Sequence, residues 1–287
     1  MSMIHEPKTT HEQKTATSIP GVPLTLEGAC VLHQMMQFDW AAWRKLPAAE
    51  QCGLAQELAT VFRADEAAGE SAVYSVLGHK ADLLLLHFRH SLAELNAAQL
   101  KLSRLRLGDF LRPANSYLSV VELGLYDSSV KLYRSLVERG IAPHSEAWNT
   151  EIAETLDRQR KAMMPRLYPK IPAAAHLCFY PMDRRRGESK NWYMLPIEER
   201  QRQMDAHGTV GRRYAGRVQQ VITGSMGFDD WEWGVDLWAE DPVQFKKLIY
   251  EMRFDEVSGM YSGFGAFVVG VRQPLATLDE MLSGNPG

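Results

Sequence analysis

Arginine, aromatic and histidine side chains are concentrated between Tyr180 and Ser258, and this mixture suits an anionic ligand. Arg184 stands in a run of three arginines, and the guanidinium fork binds carboxylate and phosphate groups through paired hydrogen bonds. A solvated basic loop has the same composition. Arg253 and Ser258 follow a predicted helix, where they either form local ion pairs or supply further donors to an acidic ligand.

His207 is one of two histidines in the second half of the chain, and Gly208 follows it near a predicted helix end. A lone histidine is usually structural or exposed. The alternative is a single axial ligand to haem iron, which needs one histidine and no metal-binding spacing. The methionines, Met182 among them, are by themselves typical of core packing.

Composition and motifs exclude several function classes. The formal net charge of −3 argues against a nucleic-acid-binding protein, and no apolar run approaches the roughly 18 residues of a membrane span. The three cysteines include no CxxC pair, so a reducing cytoplasm is the expected compartment. The chain has no P-loop, no GxGxxG after a strand, no HExxH and no GxSxG, which removes the commonest nucleotide and hydrolase interpretations.

The elements that must position these residues follow one order in both halves. The hydrophobic pattern predicts strand, helix, strand, strand, helix, strand twice, which is the split βαβ or ferredoxin-like order. The first set is predicted at Gly28–Phe38, Ala48–Arg63, Ser71–Leu77, Ala81–Phe88, Ser91–Leu105 and Ser116–Leu125. The second set is predicted at Ala174–Tyr180, Ile197–Ala206, Gln219–Ser225, Trp231–Trp238, Pro242–Met252 and Phe264–Val271.

The boundary between the halves is predicted after a polar stretch at Ser128–His144 and a helix at Thr150–Met164, where three prolines end the helical pattern. We expect a flexible N-terminal arm at 1–23, an N-terminal ferredoxin-like domain with its connecting helix at 24–170, a C-terminal ferredoxin-like domain at 171–275 and a tail at 276–287. Two such halves predict an α+β fold. Its antiparallel sheets would pack into a barrel-like core of the dimeric α/β barrel type.

Five sequence blocks together resemble a known family. They are YPMDRRR at 180–186, NWYMLPIEER at 191–200, HGTVGRRYAG at 207–216, VQQVITGSMGFDDWEWGVDLW at 218–238 and YEMRFDEVS at 250–258. They resemble the chlorite dismutase family, in particular its coproheme decarboxylase branch from Firmicutes, and the likeness extends over nearly all of residues 24–272. The resemblance implies two ferredoxin-like halves per subunit, a homopentamer, and an iron porphyrin bound in the C-terminal half.

The resemblance also implies roles for individual residues. His207 would be the proximal iron ligand, Tyr180 the redox-active tyrosine and Gln220 the residue on the distal side of the iron. The remaining porphyrin contacts, which include the partners of the propionates, would be Arg166, Met182, Arg184, Arg253 and Ser258.

The activity implied is a hydrogen peroxide-dependent oxidative decarboxylation. Two propionates of iron coproporphyrin III (coproheme), those at positions 2 and 4, would become vinyl groups and give haem b. Coproheme would be both substrate and redox centre, and the resemblance also implies a transient contact with coproporphyrin ferrochelatase. Neither nucleic acid nor stable membrane insertion is expected.

Two positions depart from family patterns. Arg184 stands where the Firmicute branch more often has lysine, so a proton-donating role at this position is in doubt, while a ligand-anchoring role is not. Gln220 stands where chlorite dismutases have a distal arginine, which puts chlorite chemistry in doubt. A chlorite dismutase-type enzyme, a non-enzymatic haem carrier or sensor, and a dimeric ferredoxin-like monooxygenase stay open as alternatives.

Overall fold

The structure, a computed structural model, describes residues 19–283 as a mixed α+β fold. Residues 1–18 and 284–287, which belong to the predicted arm and tail, lie outside the described residues. The described part contains nine strands: β1 Thr25–Phe38, β2 Ser71–Leu77, β3 Leu83–Arg89, β4 Leu111–Gly124, β5 His176–Arg184, β6 Gln219–Gly224, β7 Trp233–Ala239, β8 Ser262–Phe264 and β9 Val268–Gln273.

Helices connect the strands and cover the sheet. Within residues 19–283 they are α1 Trp40–Trp43, α2 Ala48–Ala67, α3 Leu92–Arg104, α4 Tyr126–Glu138, α5 Glu146–Leu167, α6 Ile197–Arg212, α7 Val243–Met252, α8 Glu256–Tyr261 and α9 Leu278–Ser283. None of these helices combines the length and apolar character needed to cross a membrane.

The sheet is antiparallel and its pairings form a closed ring, which confirms the predicted fold class. The strand order is β7-β6-β4-β1-β3-β2-β9-β5, and β5 pairs again with β7. The two halves of the chain are therefore joined by hydrogen bonds between β4 and β6 and between β2 and β9. The short strand β8 extends the end of β5.

Side chains alternate along each strand, so the two faces of the sheet contribute to different hydrophobic clusters. Leu177 and Phe179 of β5 face a cluster inside the ring to which most of the strands contribute. Cys178 and Tyr180 of the same strand face outward, under α6 and α7. A third cluster lies under α2, α3 and α9 on the other half. The outward face of β5 thus presents its side chains to a space covered by helices.

Several predicted boundaries differ from the structure. The strand at Phe264–Val271 is divided into β8 and β9, and between them Gly265 packs so closely under Pro181 and Trp231 that a side chain would not fit. The strand at Ala174–Tyr180 continues to Arg184 as β5, so Tyr180 lies within a strand and not at its end.

Two helices are longer than predicted. Helix α5 continues through Pro165, which lies in its last turn, and ends at Leu167 before Pro169. Helix α6 continues past Ala206 to Arg212, so His207 and Gly208 are helical. The polar stretch at Ser128–His144 contains most of α4, whose Val130, Tyr133 and Leu136 are buried at helical spacing.

Both ends of the described chain pack onto the fold. In the predicted tail, Leu278 and Leu282 of α9 are buried in the cluster under α2, so this part of the tail is an ordered helix. In the predicted arm, Tyr133 donates a hydrogen bond to the backbone oxygen of Val22, and Arg200 donates one to that of Gly21. Contacts that are distant in sequence order both segments.

Candidate porphyrin site

A cavity of about 730 Å³ lies on the outward face of β5, β6 and β7. Helices α6, α7 and α8 cover it together with the start of α4 and the end of α5. All eight residues singled out from the sequence line this one cavity: Arg166, Tyr180, Met182, Arg184, His207, Gln220, Arg253 and Ser258. The structure therefore brings together side chains that are up to 92 residues apart in the chain (166 to 258).

Tyr180 is placed on the cavity wall by β5. Its backbone pairs with Val235 of β7, and its ring stacks on Phe267 with the centroids 4.5 Å apart. Pro181 follows within the strand, and its carbonyl accepts a hydrogen bond from the backbone of Gly265. Burial raises the pKa of Tyr180, so its phenol stays protonated at neutral pH.

His207 projects from α6 and is held through its Nδ1 atom. This atom lies 2.8 Å from Oδ2 of Asp255, while Oδ1 of Asp255 accepts the backbone N–H of Ser258 and caps α8. Burial alone would raise the pKa of Asp255, but the hydrogen bonds from His207 and Ser258 keep it below its usual value. A carboxylate at this position fixes the proton of His207 on Nδ1 and leaves Nε2 as the nitrogen with a free electron pair.

Arg184 is a buried cation at the end of β5. Its guanidinium lies 4.9 Å from the ring centroid of Trp192, donates to the hydroxyl of Ser262 and contacts the sulfur of Met204. Among residues 19–283, no carboxylate lies within ion-pair distance of it. Burial lowers the pKa of Arg184, although the residue remains charged at any physiological pH. An unpaired buried cation is costly, and an anion in the cavity would compensate this cost.

Three further arginines, Arg166, Arg212 and Arg253, line the cavity without ion-pair partners in the described part of the chain. The guanidinium of Arg253 lies 3.5 Å from the ring centroid of Phe264. Arg166 is exposed in the last turn of α5, and within residues 19–283 its only side-chain contact of hydrogen-bond type is with the sulfur of Met163. Elsewhere, the buried Arg89 is paired with Asp65 at 2.7 Å. The cavity thus concentrates positive charge that the described protein does not neutralise.

Ser258, Met182 and Gln220 complete the predicted set. Ser258 is buried in the first turn of α8, and Met182 lies on β5 opposite Trp233. Gln220 lies near the start of β6, opposite Leu237 of β7, and remains exposed to the cavity. No cluster of three or more histidine, cysteine, aspartate or glutamate side chains within residues 19–283 could hold a bare metal ion. The donor set fits an anionic ligand that brings its own metal.

The cavity wall includes three chemically notable residues that are not among the eight singled out from the sequence. They are Glu122 of β4, Tyr126 at the start of α4 and Trp233 of β7, and all three also line a neighbouring cavity of about 830 Å³. Glu122 accepts a hydrogen bond of 3.1 Å from the indole of Trp233. Alternation along β4 could have indicated the face of Glu122, but the contact with Trp233 spans more than a hundred residues and has no local signal.

Known proteins are similar to this chain in sequence and in fold. The model of the chlorite dismutase family matches residues 51–273. A coproheme decarboxylase from Staphylococcus saprophyticus is 43% identical over 257 residues, which cover 88% of this chain and 94% of that protein. A haem-binding protein from Thermus thermophilus is 42% identical, with a TM-score of 0.77 over 93% of this chain and 99% of its own. A mutant chlorite dismutase from Candidatus Nitrospira defluvii, at 17% identity, has a TM-score of 0.66 over 90% of this chain and 97% of its own, which is a likeness of fold.

Proposed function

The chain belongs to the chlorite dismutase family, and we propose that it makes haem b from coproheme by oxidative decarboxylation. One observation carries the proposal. A single cavity of about 730 Å³ contains a histidine whose Nε2 is free and four arginines without carboxylate partners in residues 19–283. Coproheme has one iron and four propionates, so it matches both features. The volume lies within the range of roughly 300–1,000 Å³ of ordinary ligand pockets.

Different residues of the cavity would bind different parts of the porphyrin. His207 would hold the iron through Nε2, with Asp255 orienting its ring. Arg184, Arg253 and Arg166 would bind propionates, because a guanidinium forms short, charge-assisted hydrogen bonds with carboxylates. Met182 and the apolar side chains of β6 and β7 would contact the macrocycle.

Tyr180 is the residue that we propose to act on the propionate. When bound, the iron porphyrin supplies the oxidising chemistry together with hydrogen peroxide. Because its pKa is raised by burial, Tyr180 keeps its phenolic hydrogen until an electron is also withdrawn. The resulting phenoxyl group would take a hydrogen atom from the β-carbon of a propionate. A second electron, which the iron porphyrin would accept, then leaves together with carbon dioxide, and the double bond of the vinyl group forms.

A reaction with defined reagents tests the proposal. The purified chain would be incubated with iron coproporphyrin III and a small excess of hydrogen peroxide, and the porphyrins would be separated by mass. We expect a product with three propionates and then haem b with two. Unaltered coproheme would contradict the proposed function and favour a carrier or sensor of haem.

Finer points belong to the same proposal. We propose that the 2-propionate and then the 4-propionate react, that peroxide is the oxidant, and that the protein works in the cytoplasm. A homopentamer and a transient contact with coproporphyrin ferrochelatase are proposed from the family resemblance alone. Light scattering of the purified protein would determine the number of subunits, and a monomer would contradict this part.

A further inference from the structure

Glu122 is a carboxyl group set into the wall between two cavities. It lies on β4 and lines both the cavity of the candidate site and the neighbouring cavity of about 830 Å³. Trp233 of β7 donates its indole N–H to Oε1 at 3.1 Å. Gly224 of β6 lies so close that a Cβ atom at that position would overlap Oε2. Residues of both β6 and β7 are therefore in close contact with this carboxyl group.

The charges around Glu122 favour its neutral form. On the neighbouring strand, Glu27 lies directly opposite it in register, and like charges in such a pair repel each other. Glu27 itself is exposed, accepts a hydrogen bond from Thr25 and lies 3.9 Å from Arg160 of α5. No lysine or arginine of the described residues is within ion-pair distance of Glu122.

Two arginines lie further from Glu122, near Tyr126 in the wall between the two cavities. Arg184 of β5 and Arg200 of α6 both lie close enough to Tyr126 to influence its hydroxyl. Burial nevertheless raises the pKa of Glu122, and the charge of Glu27 adds to this effect, while the hydrogen bond from Trp233 opposes it. The net direction makes Glu122 an acid that retains its proton to a higher pH than an exposed glutamate.

The proposed reaction consumes a proton at every turnover. One propionate carboxylate, one hydrogen peroxide and one proton give a vinyl group, one carbon dioxide and two waters. The bond between the carboxyl carbon and the α-carbon breaks, the β-carbon loses one hydrogen, and a double bond forms between the α- and β-carbons. The two electrons released reduce the O–O bond of peroxide. The arginines that line the cavity cannot donate this proton to the reaction, because arginine is effectively never deprotonated.

The other carboxyl groups of this cavity are poor sources of that proton. Asp127 lies 2.7 Å from the ammonium group of Lys131 and accepts a hydrogen bond from Gln201, so it already has a cationic partner. Asp205 is exposed on α6. Glu122 is the carboxyl group lining the cavity that is both largely removed from solvent and without a cationic partner in the described residues.

We propose that Glu122 is the acid that donates this proton and that it regains a proton from the side of the neighbouring cavity. This inference rests on the proposed function. It assigns a role to the second cavity as the route by which protons reach the wall from solvent. The position of Glu122 on both cavity surfaces is what such a relay requires.

Infrared spectroscopy of the protein without porphyrin tests the protonation state alone. The difference spectrum between the wild type and Glu122→Gln should contain the carbonyl band of a protonated carboxylic acid, and this band should persist to a higher pH than that of an exposed glutamate. Glutamine keeps the size of the side chain and an oxygen that can accept the N–H of Trp233. Glu27→Gln is the matched control, since it removes the opposing charge outside the cavity. In that variant the band should disappear at a lower pH than in the wild type. Disappearance of the band at the pH expected of an exposed glutamate would overturn the proposal.

Turnover then tests the role of the proton. Glu122→Gln should bind coproheme with an unchanged absorption spectrum, and its conversion to haem b should be slower by roughly 100-fold, a usual loss for general acid catalysis. Wild-type turnover should fall as the pH rises through the pKa of Glu122, and Glu27→Gln should shift this fall to lower pH. If the wild type makes haem b and Glu122→Gln matches its rate and pH profile, Glu122 is not the acid, but the proposed function stands. If the wild type makes no haem b, both fail.

Discussion

Nδ1 of His207 lies 2.8 Å from Oδ2 of Asp255, and the same carboxylate caps α8 through the backbone of Ser258. One side chain therefore fixes the orientation of the imidazole and the start of the helix that carries Ser258 into the cavity. A hydrogen bond of this kind orients a metal-bound histidine and raises its basicity. It couples the candidate iron ligand to one of the predicted porphyrin contacts.

His207→Ala should change the iron spectrum without emptying the cavity. The arginines that face the cavity would still bind propionates, so coproheme should remain bound more weakly, while absorption and resonance Raman spectra lose the signature of histidine ligation. Asp255→Asn is the graded companion, because asparagine also caps helices but lacks the charge. It should keep ligation with a weaker iron–histidine bond. An unchanged coordination signature in His207→Ala would contradict the assignment.

Arg184→Met should weaken coproheme binding without weakening the fold. The variant loses a charged hydrogen bond to a propionate, which costs about 1.5–3 kcal/mol, or roughly ten- to a hundredfold in affinity. It also removes an unpaired buried cation, so the free energy of unfolding of the porphyrin-free protein should be unchanged or higher. Arg186→Met is the control, since Arg186 is exposed, lies 3.6 Å from Glu232 and is not among the cavity-lining residues. Equal affinities in fluorescence titrations of the two variants would contradict the role of Arg184.

Residue spacing was sufficient to predict the strands and most of the helices, because alternation and helical periodicity are local signals. Closure of the sheet was harder to predict from the sequence, because the pairing of β5 with β7 and of β4 with β6 depends on contacts distant in sequence. Helix α4 was missed because only a narrow stripe of it is apolar: Val130, Tyr133 and Leu136 are its main buried side chains. The end of α6 was predicted too early, because Gly208 suggested the end of a helix, whereas α6 continues to Arg212.

The eight site residues came from a resemblance of sequence blocks, and the structure brings all of them to one cavity. Residue type alone left Arg184 open between a solvated loop and a ligand site. The structure shows that Arg184 is buried and therefore not a solvated side chain. Its burial depends on how the chain folds, so the sequence alone could not show it. For Glu122 the sequence offered only the alternation of β4, since its environment is made by Gly224 and Trp233 from the other half of the chain.

His87 should make the fold sensitive to acid. It is fully buried, with Nδ1 2.8 Å from the hydroxyl of Ser71, and burial together with the charge of Arg89 lowers its pKa to about 3. The unfolded chain takes up a proton near its ordinary pKa of about 6.5, so the unfolded state binds more protons between these values. The stability that neutral His87 contributes is present above pH 6.5 and is lost as the pH falls towards 3.

His87→Phe removes this titration while Ser71 keeps its hydrogen bond from Arg89. Between pH 6.5 and 4, the free energy of unfolding of the wild type should fall more steeply than that of the variant, by up to about 1.4 kcal/mol per pH unit. Urea unfolding at several pH values measures the difference. Parallel curves for the two proteins would mean that His87 does not remain neutral in the fold.

Gln220 should make the haem-loaded protein a poor catalyst of chlorite breakdown. A neutral amide at the cavity surface lacks the fixed positive charge that an arginine would hold near an oxyanion. Gln220→Arg should therefore release more oxygen from chlorite than the wild type, as measured with an oxygen electrode. Sustained oxygen release by the wild type would contradict the prediction and revive the chlorite dismutase alternative.

Tyr180→Phe should separate binding from chemistry. The ring is buried against Phe267 and makes its contacts mainly through its apolar face, so phenylalanine should preserve the fold and the affinity for coproheme. Phenylalanine has no phenolic hydrogen to lose, so neither the three-propionate intermediate nor haem b should form. Tyr214→Phe is the matched control: this residue is also buried, but its hydroxyl donates to Glu251 and it is not among the residues that line the cavity.

Both tyrosine variants would be incubated with coproheme and a small excess of peroxide, and the porphyrins would be separated by mass. Tyr214→Phe should convert coproheme at close to the wild-type rate, although loss of one hydrogen bond should lower its stability by about 1 kcal/mol. Tyr180→Phe should bind coproheme as tightly as the wild type and consume peroxide without losing a propionate. Full conversion by Tyr180→Phe would leave the cavity and its ligand unchanged, but the hydrogen-abstracting group would have to be another side chain.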